Sequence, residues 1–476
     1  MMQKVESLMK LASIRTLAFG RAQRTISRYI CATNEGTSGT LSDLGSRKKT
    51  FLQKQVDQQA RKQHKDATMN EACRRNPLTT VTHKQLVLNS DHLIMPTITG
   101  TLDDLNDPHG QSGIVLNYVW LRDHCRCDSC YHHTTSQRLF ETNAIDLDIR
   151  PNNAALTFDP DVNDHVLHIT WPDGHQSQFT YSWLTDSKNI FAGKYPKSKS
   201  VQTLWDANTI KEIDIKAVEY EKYMDKSNDE SLKVLLENVL RYGYGLVHGC
   251  QTSIDDTAKT AERLCIIQNS LFGHMWSFTN DLEHSDTAYT NLALGAHNDT
   301  CYFLKGAGIQ VFHLLEHTGA GGETLLVDGF KALETLRRNH KWAYDFLVET
   351  SIVHEYVEPG IDIKSLDSII NVHPITKEPI ALRFNTYDRA SLNTIDQEDM
   401  PKFYEANKLL ANEIQNPQNE FWLKLKPGTV LFVDNWRLLH GRSAFTGRRC
   451  VCGCYLARDD WTSKARELGL VSSFHF

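Results

Sequence analysis

Acidic residues are almost missing from the first 30 positions, where Glu6 alone stands against Lys4, Lys10, Arg15, Arg21, Arg24 and Arg28. With Leu8, Leu11, Ile14, Leu17 and Ala18 at helical spacing, that composition predicts a mitochondrial transit peptide over residues 1–30. Large apolar side chains are scarce from Cys31 to Asn76, so residues 31–79 are expected to be a disordered linker, with folded structure starting near Thr80. No run approaches the roughly 18 to 20 apolar residues of a membrane span, which predicts a soluble protein. A surplus of basic charge is also lacking. The 52 Lys and Arg against 58 Asp and Glu leave a net charge of −6, which argues against a nucleic-acid partner. Without a secretory signal, eleven cysteines do not suggest a disulfide framework.

What is present is a chain of 476 residues, 40% hydrophobic, long enough for two or three domains and a sizeable core. Cys125, Cys127 and Cys130 sit close enough for one turn to aim three thiolates at a tetrahedral zinc. Spacing leaves the fourth ligand open between His124, His132, His133 and His175, the last on a turn between Val166–Trp171 and Gln176–Tyr181. Cys450, Cys452 and Cys454 read differently. Alternate strand positions lie about 6.6 Å apart, so the outer pair cannot share one ion and the three are expected to pack one face. Arg449, Val451 and Gly453 then turn to the opposite face.

The pattern His-x-Asp occurs three times, at His64 and Asp66, His284 and Asp286, and His297 and Asp299. Context favours the third. An apolar strand from Gly308 to Leu315, a Gly-rich turn at Gly319 to Gly322 and a strand from Thr324 follow it, an order that predicts a hairpin beside the site. On a strand, His297 and Asp299 would present an imidazole and a carboxylate to one face, and His440, in Asp-Asn-Trp-Arg-Leu-Leu-His-Gly-Arg, could complete the set. Two imidazoles and one carboxylate leave three coordination positions open, the arrangement of non-haem Fe(II) oxygenases.

From about Tyr118 onward the chain resembles the carnitine-biosynthesis branch of the Fe(II)/2-oxoglutarate dioxygenases. The strings that carry this are Asp-Thr-Ala-Tyr-Thr at 286–290, His-Asn-Asp-Thr-Cys-Tyr-Phe at 297–303, Gly-Ile-Gln-Val-Phe-His at 308–313 and Leu-Val-Asp-Gly-Phe at 326–330. Asn-Thr-Tyr-Asp-Arg-Ala at 385–390, Asn-Glu-Phe-Trp-Leu-Lys-Leu-Lys-Pro-Gly at 419–428 and Cys-Gly-Cys-Tyr-Leu-Ala-Arg-Asp-Asp at 452–460 extend it. The resemblance implies iron on His297, Asp299 and His440, with Arg449 and Thr324 holding the distal carboxylate of 2-oxoglutarate. It implies a structural zinc on Cys125, Cys127, Cys130 and His175, L-ascorbate as reductant, and a homodimer.

A trimethylammonium group has no N–H to donate, so it is recognised through charge and aromatic faces worth about 0.5 to 2 kcal/mol each. The resemblance puts Trp276 and Tyr289 in that cage, with Phe272 where a tyrosine is usual. Free trimethyllysine differs from γ-butyrobetaine by an α-ammonium. Asp286 could pair with it, where the butyrobetaine enzymes have asparagine, and a carboxylate there would repel a lone substrate carboxylate. Asn385 matches an asparagine expected to bind the substrate carboxylate. The implied activity is hydroxylation of trimethyllysine at C3 with release of succinate and CO2, in the mitochondrial matrix. The alternatives are γ-butyrobetaine hydroxylation and a catalytically silent metal-binding scaffold. The expected fold is mainly β (α+β): a small antiparallel zinc-binding β domain over residues 80–206, then a catalytic double-stranded β-helix, jelly-roll and cupin-like, over residues 207–476. Amphipathic spacing predicts helices at Ser231–Arg241, Lys331–Glu349 and Met400–Gln415.

Overall fold

After residue 217 short strands alternate with helices, and the strands Thr324–Asp328 and Leu438–Arg442 are buried on both faces. In the computed structural model residues 86–98, 113–186, 201–279 and 290–471 are described, all within one unit that begins at Leu86. The expected leader and linker lie outside these residues, as do Asp286 and Tyr289. Among the described residues no helix is long and apolar enough to cross a membrane.

Ten strands build the two main sheets of the C-terminal part: β1 (Val218–Glu219), β2 (Tyr244–His248), β3 (Trp276–Phe278), β4 (Leu294–His297), β5 (Ile309–His317), β6 (Thr324–Asp328), β7 (Phe421–Leu423), β8 (Thr429–Asp434), β9 (Leu438–Arg442) and β10 (Arg449–Leu456). Six form a major sheet in the order β3-β10-β5-β8-β2-β1, and four a minor sheet in the order β4-β9-β6-β7. All neighbours are antiparallel except β1 and β2. Leu314, Leu431, Val433 and Val451 of the major sheet meet Leu326 and Leu438 of the minor sheet in a shared core. Helices cover both outer faces. Leu235, Val239, Ala261 and Trp461 pack on Val311, Phe432 and Cys454, while Leu333, Leu347, Phe403 and Leu410 pack on Leu325, Val327 and Leu439. This sandwich of two antiparallel sheets with helices outside is the double-stranded β-helix.

Two expectations change. Ile309–His317 and Thr324–Asp328 form no hairpin, because β5 belongs to the major sheet and β6 to the minor one. The Gly-rich link is a corner between sheets. A Cβ at Gly319 would fall 1.7 Å from the carbonyl oxygen of Thr446, so only glycine lets the corner lie on the turn before β10. The predicted helix Lys331–Glu349 is two, Gly329–Asn339 and Lys341–Glu349, broken where His340 takes φ −139° and ψ 60°. The break lets Leu336 and Leu347 face the same core. The other two helices form as Glu230–Tyr242 and Met400–Ile414.

Ahead of this part, two three-stranded antiparallel sheets, one of Val87–Leu88, His92–Pro96 and Gly113–Asn117 and one of Asn153–Asp159, Asp164–Thr170 and Gln176–Thr180, share a core of Leu93, Leu116, Leu121, Ile169, Trp171 and Phe179. Val201, Leu204 and Trp205, just before the boundary expected at residue 206, pack into the cores of the C-terminal part.

One buried ion pair ties these layers. Arg437 grips both oxygens of Asp328 at 3.1 and 2.7 Å and donates to the carbonyls of Arg241 and Thr203, while Asp328 caps the helix that begins at Gly329. Both side chains are fully buried, so removing one leaves an uncompensated charge. Arg437→Met is expected to cost about 3 to 5 kcal/mol in urea unfolding; a loss below about 1 kcal/mol would show that water enters and relieves Asp328.

Candidate active site

Direct cross-strand pairing of His297 with His440 on β4 and β9 brings their rings to 4.5 Å between centroids. β4 carries an irregularity between Leu294 and His297, and the carbonyl of Gly295 accepts the hydrogen of His297 Nδ1 at 2.8 Å. That bond leaves Nε2 of His297 facing the carboxylate. Asp299 does not share the strand with His297, as the sequence suggested. β4 ends at His297, and Asp299 stands in a turn.

The turn is fixed by two asparagines that the sequence reading passed over. Asn298 donates to the carbonyls of Asn435 and Leu438 and accepts from the Phe384 N–H. Asn435 accepts from the Asp299 N–H at 3.0 Å and donates to the carbonyls of Asp299 and Ala307. Oδ1 of Asp299 then lies 3.2 Å from His297 Nε2 and 3.8 Å from His440 Nε2. Oδ2 accepts from Gln310 Nε2 at 2.5 Å and Tyr455 Oη at 3.1 Å. Burial opposes ionisation of Asp299, but the hydrogen bond from His297, the electrostatic influence of the two neighbouring imidazoles and the Gln310 donor outweigh it and hold the carboxyl far below its usual range. Burial pushes His440 down to about 3, so its imidazole stays neutral with a lone pair to offer. Burial lowers His297 as well, yet its contacts with Asp299 raise it overall. Three ligand atoms within 4.8 Å of one another, from two imidazoles and one carboxylate oxygen, fit a divalent metal.

Period-two alternation decides what else faces this centre. On β5, Gln310 reaches Asp299 and Phe312 lies 5.0 Å from His440, while Val311 joins the outer core and His313 bonds Thr257. On β10, Tyr455 reaches Asp299, Gly453 lies under Trp276, and Arg449 is buried at the strand's start. Cys452 and Cys454 face the outer helices, with Cys452 Sγ 3.2 Å from Thr257 Oγ1. Trp276 stacks on Phe278 at 5.0 Å and stands 6.0 Å from Tyr455, and Phe272 lies 6.3 Å from Tyr455 and 5.8 Å from Tyr356. The rings Phe272, Trp276 and Tyr455 thus gather beside the carboxylate. A Cβ on Gly453 would reach within 2.5 Å of the Trp276 indole, so this residue seats the ring by having none.

Arg449 and Arg442 both stack near Phe445, at 5.6 and 5.0 Å. Burial, then the neighbouring Arg442 charge, lowers Arg449 to about 10, an environment that a bound carboxylate would relieve. Thr324 pairs directly with Arg442 across β6 and β9. Arg442 was not singled out from the sequence; it also donates to the carbonyls of Thr290 and Leu292, next to the segment that carries Tyr289. Asn385 lies in a turn near Asn298. Its amide donates to Asn298 O and Asp388 Oδ2 and its oxygen accepts from the Tyr387 and Asp388 N–H groups. Both amide hydrogens are engaged within this turn.

In the N-terminal part, the Cys125, Cys127 and Cys130 sulfurs lie 3.3, 3.7 and 3.5 Å from His175 Nε2. A tetrahedral zinc sets such edges at about 3.5 to 3.8 Å. The other candidate histidines are engaged elsewhere: His124 with Trp120 O, His132 with Thr135, His133 with Asp128. Arg122 donates to Cys130 Sγ at 3.4 Å, a cation beside the thiol set.

Residues 209–455 match the family model described as taurine catabolism dioxygenase TauD, TfdA family, and residues 106–185 match gamma-butyrobetaine hydroxylase-like, N-terminal. The mitochondrial trimethyllysine dioxygenases of Bos taurus and Homo sapiens are each 42% identical to this chain over 75% of its length and 83% of their own. A gamma-butyrobetaine dioxygenase of Pongo abelii is 27% identical over 74% of this chain and 90% of its own. Asn435→Ala is expected to free the Asp299 turn and weaken Co(II) binding by about 10- to 100-fold, read by titration calorimetry; unchanged affinity would show that Asn298 suffices to place the carboxylate.

Proposed function

We propose that this chain, which belongs to the trimethyllysine dioxygenase family of Fe(II)/2-oxoglutarate oxygenases, hydroxylates free N6,N6,N6-trimethyllysine to 3-hydroxy-N6,N6,N6-trimethyllysine, the first step of carnitine biosynthesis. The observation that carries the reading is 42% identity running through both parts of the chain, with the three metal-ligating side chains gathered on one spot.

His297, Asp299 and His440 would hold Fe(II). With 2-oxoglutarate and dioxygen, iron there supplies the oxidation of an unactivated C–H bond, releasing succinate and CO2. The protein's part is to bind, orient and exclude water. Arg449 and Thr324, with Arg442 beside them, would grip the distal carboxylate of 2-oxoglutarate, a two-pronged contact that a guanidinium makes well. Trp276, Phe272 and Tyr455 would offer π faces to the trimethylammonium, and Tyr289, outside the described residues, would add another ring. Asp286 would pair with the α-ammonium and repel a substrate that ends in a lone carboxylate.

Cys125, Cys127, Cys130 and His175 would hold a structural zinc, closed by four protein ligands. Ascorbate as reductant, a homodimer and the mitochondrial matrix complete the reading; the last is supported by the basic composition of residues 1–30 and by the mitochondrial names of the relatives.

The test supplies protein with Fe(II), 2-oxoglutarate and ascorbate and follows trimethyllysine and γ-butyrobetaine together by mass spectrometry. One oxygen added to trimethyllysine with matching succinate is expected, and Asp299→Ala should abolish it. Oxidation of γ-butyrobetaine alone would move the chain to the sister activity. Elemental analysis should find zinc retained in Asp299→Ala and lost in Cys130→Ser; retention in Cys130→Ser would remove the zinc assignment.

A further inference from the structure

We propose that Gln310 and Tyr455 form a two-donor clamp that holds Asp299 as a one-oxygen metal ligand, keeping a coordination position open for the cosubstrate. The proposal rests on the reading that His297, Asp299 and His440 hold iron and that 2-oxoglutarate chelates it.

Gln310 and Tyr455 are direct partners across β5 and β10, and both side chains end on the same oxygen, Oδ2 of Asp299. The other oxygen, Oδ1, is the one that faces His297 and His440. A carboxylate without such donors can rotate and ligate through both oxygens. With two imidazoles it then fills four of about six positions and leaves two, where the chelating cosubstrate and dioxygen together need three. Two donors on Oδ2 oppose that rotation, because bidentate binding would have to break both bonds.

Gln310 has little other reason to be there. It is 2% exposed on a strand flanked by Ile309 and Val311, and its Oε1 finds no partner. A buried, half-satisfied amide is costly for the fold. Reversing the amide would press that acceptor against an ionised carboxylate, so the donor belongs on Asp299. Tyr455 adds a link to the substrate side, since its ring stands 6.0 Å from Trp276 while its hydroxyl rests on Asp299. Both are positioning residues that act through Asp299.

The experiment is an anaerobic titration of the full chain, first with Fe(II) and then with 2-oxoglutarate, followed by the visible charge-transfer absorption of the iron and 2-oxoglutarate complex. Wild-type protein is expected to develop the band. Gln310→Leu is expected to bind 2-oxoglutarate about 10- to 100-fold more weakly, with Fe(II) affinity unchanged or tighter and a melting temperature unchanged or raised. Tyr455→Phe keeps the ring and loses the hydroxyl, and it carries the same test if Gln310→Leu does not fold. Parallel loss of Fe(II) and 2-oxoglutarate affinity, or unchanged 2-oxoglutarate affinity, would overturn the clamp. A wild-type protein that binds Fe(II) and 2-oxoglutarate without a band would overturn the iron reading, and the clamp with it.

Discussion

Everything at the centre of this protein hangs on the antiparallel pairing of β4 with β9, which sets His297 opposite His440. Neighbouring strands lie about 4.7 to 4.9 Å apart, so two imidazoles on directly opposed residues meet without further adjustment. The carboxylate needs more. Asp299 leaves the strand, and only the mutual grip of Asn298 and Asn435 returns it to the pair. The buried pair of Arg437 and Asp328 secures the other ends of β9 and β6, so the strand that carries His440 is held at both extremities.

β10 shows how one strand distributes several tasks. At two-residue steps its inner face carries Arg449 beside Phe445, Val451 in the core, Gly453 as the seat for Trp276, and Tyr455 on Asp299. Arg449 and Tyr455 are six residues apart, about 20 Å of extended strand, so a buried guanidinium and an aromatic ring stand at opposite ends of one strand. The cysteines between them face the outer helices. Apolar layers on both outer sides make the strands stiff, and stiffness is what lets buried polar groups such as Gln310 and Asn435 keep one geometry.

Much of this was legible beforehand, and for identifiable reasons. Groups able to ligate a metal are chemically narrow, so His297, Asp299, His440 and the cysteine trio stand out from their neighbours. Alternation is a local rule, so the facing of Cys452 and Cys454 followed from strand spacing alone. Gln310 was visible in the same way, as an amide inside an apolar strand, but its partner lies eleven residues away and no local rule points to it. The contacts of Asn385 were hidden likewise: its type suits a carboxylate, and only the folded turn shows its bonds to Asn298, Tyr387 and Asp388. The supposed hairpin after Asp299 failed because a Gly-rich link reads alike whether its strands pair or part to different sheets.

By itself, then, the sequence determined which chemistry this protein carries, because residue type and short spacing decide what can ligate a metal, face a cation or cap a helix. The tertiary structure decided how those groups meet. It chose His175 from four histidines, brought Asn435 under Asp299, split one helix at His340, and set Arg442 beside Arg449. Each of those outcomes depends on pairing between segments that are distant in the chain, and register across such distances is fixed by the packing of whole sheets and helices.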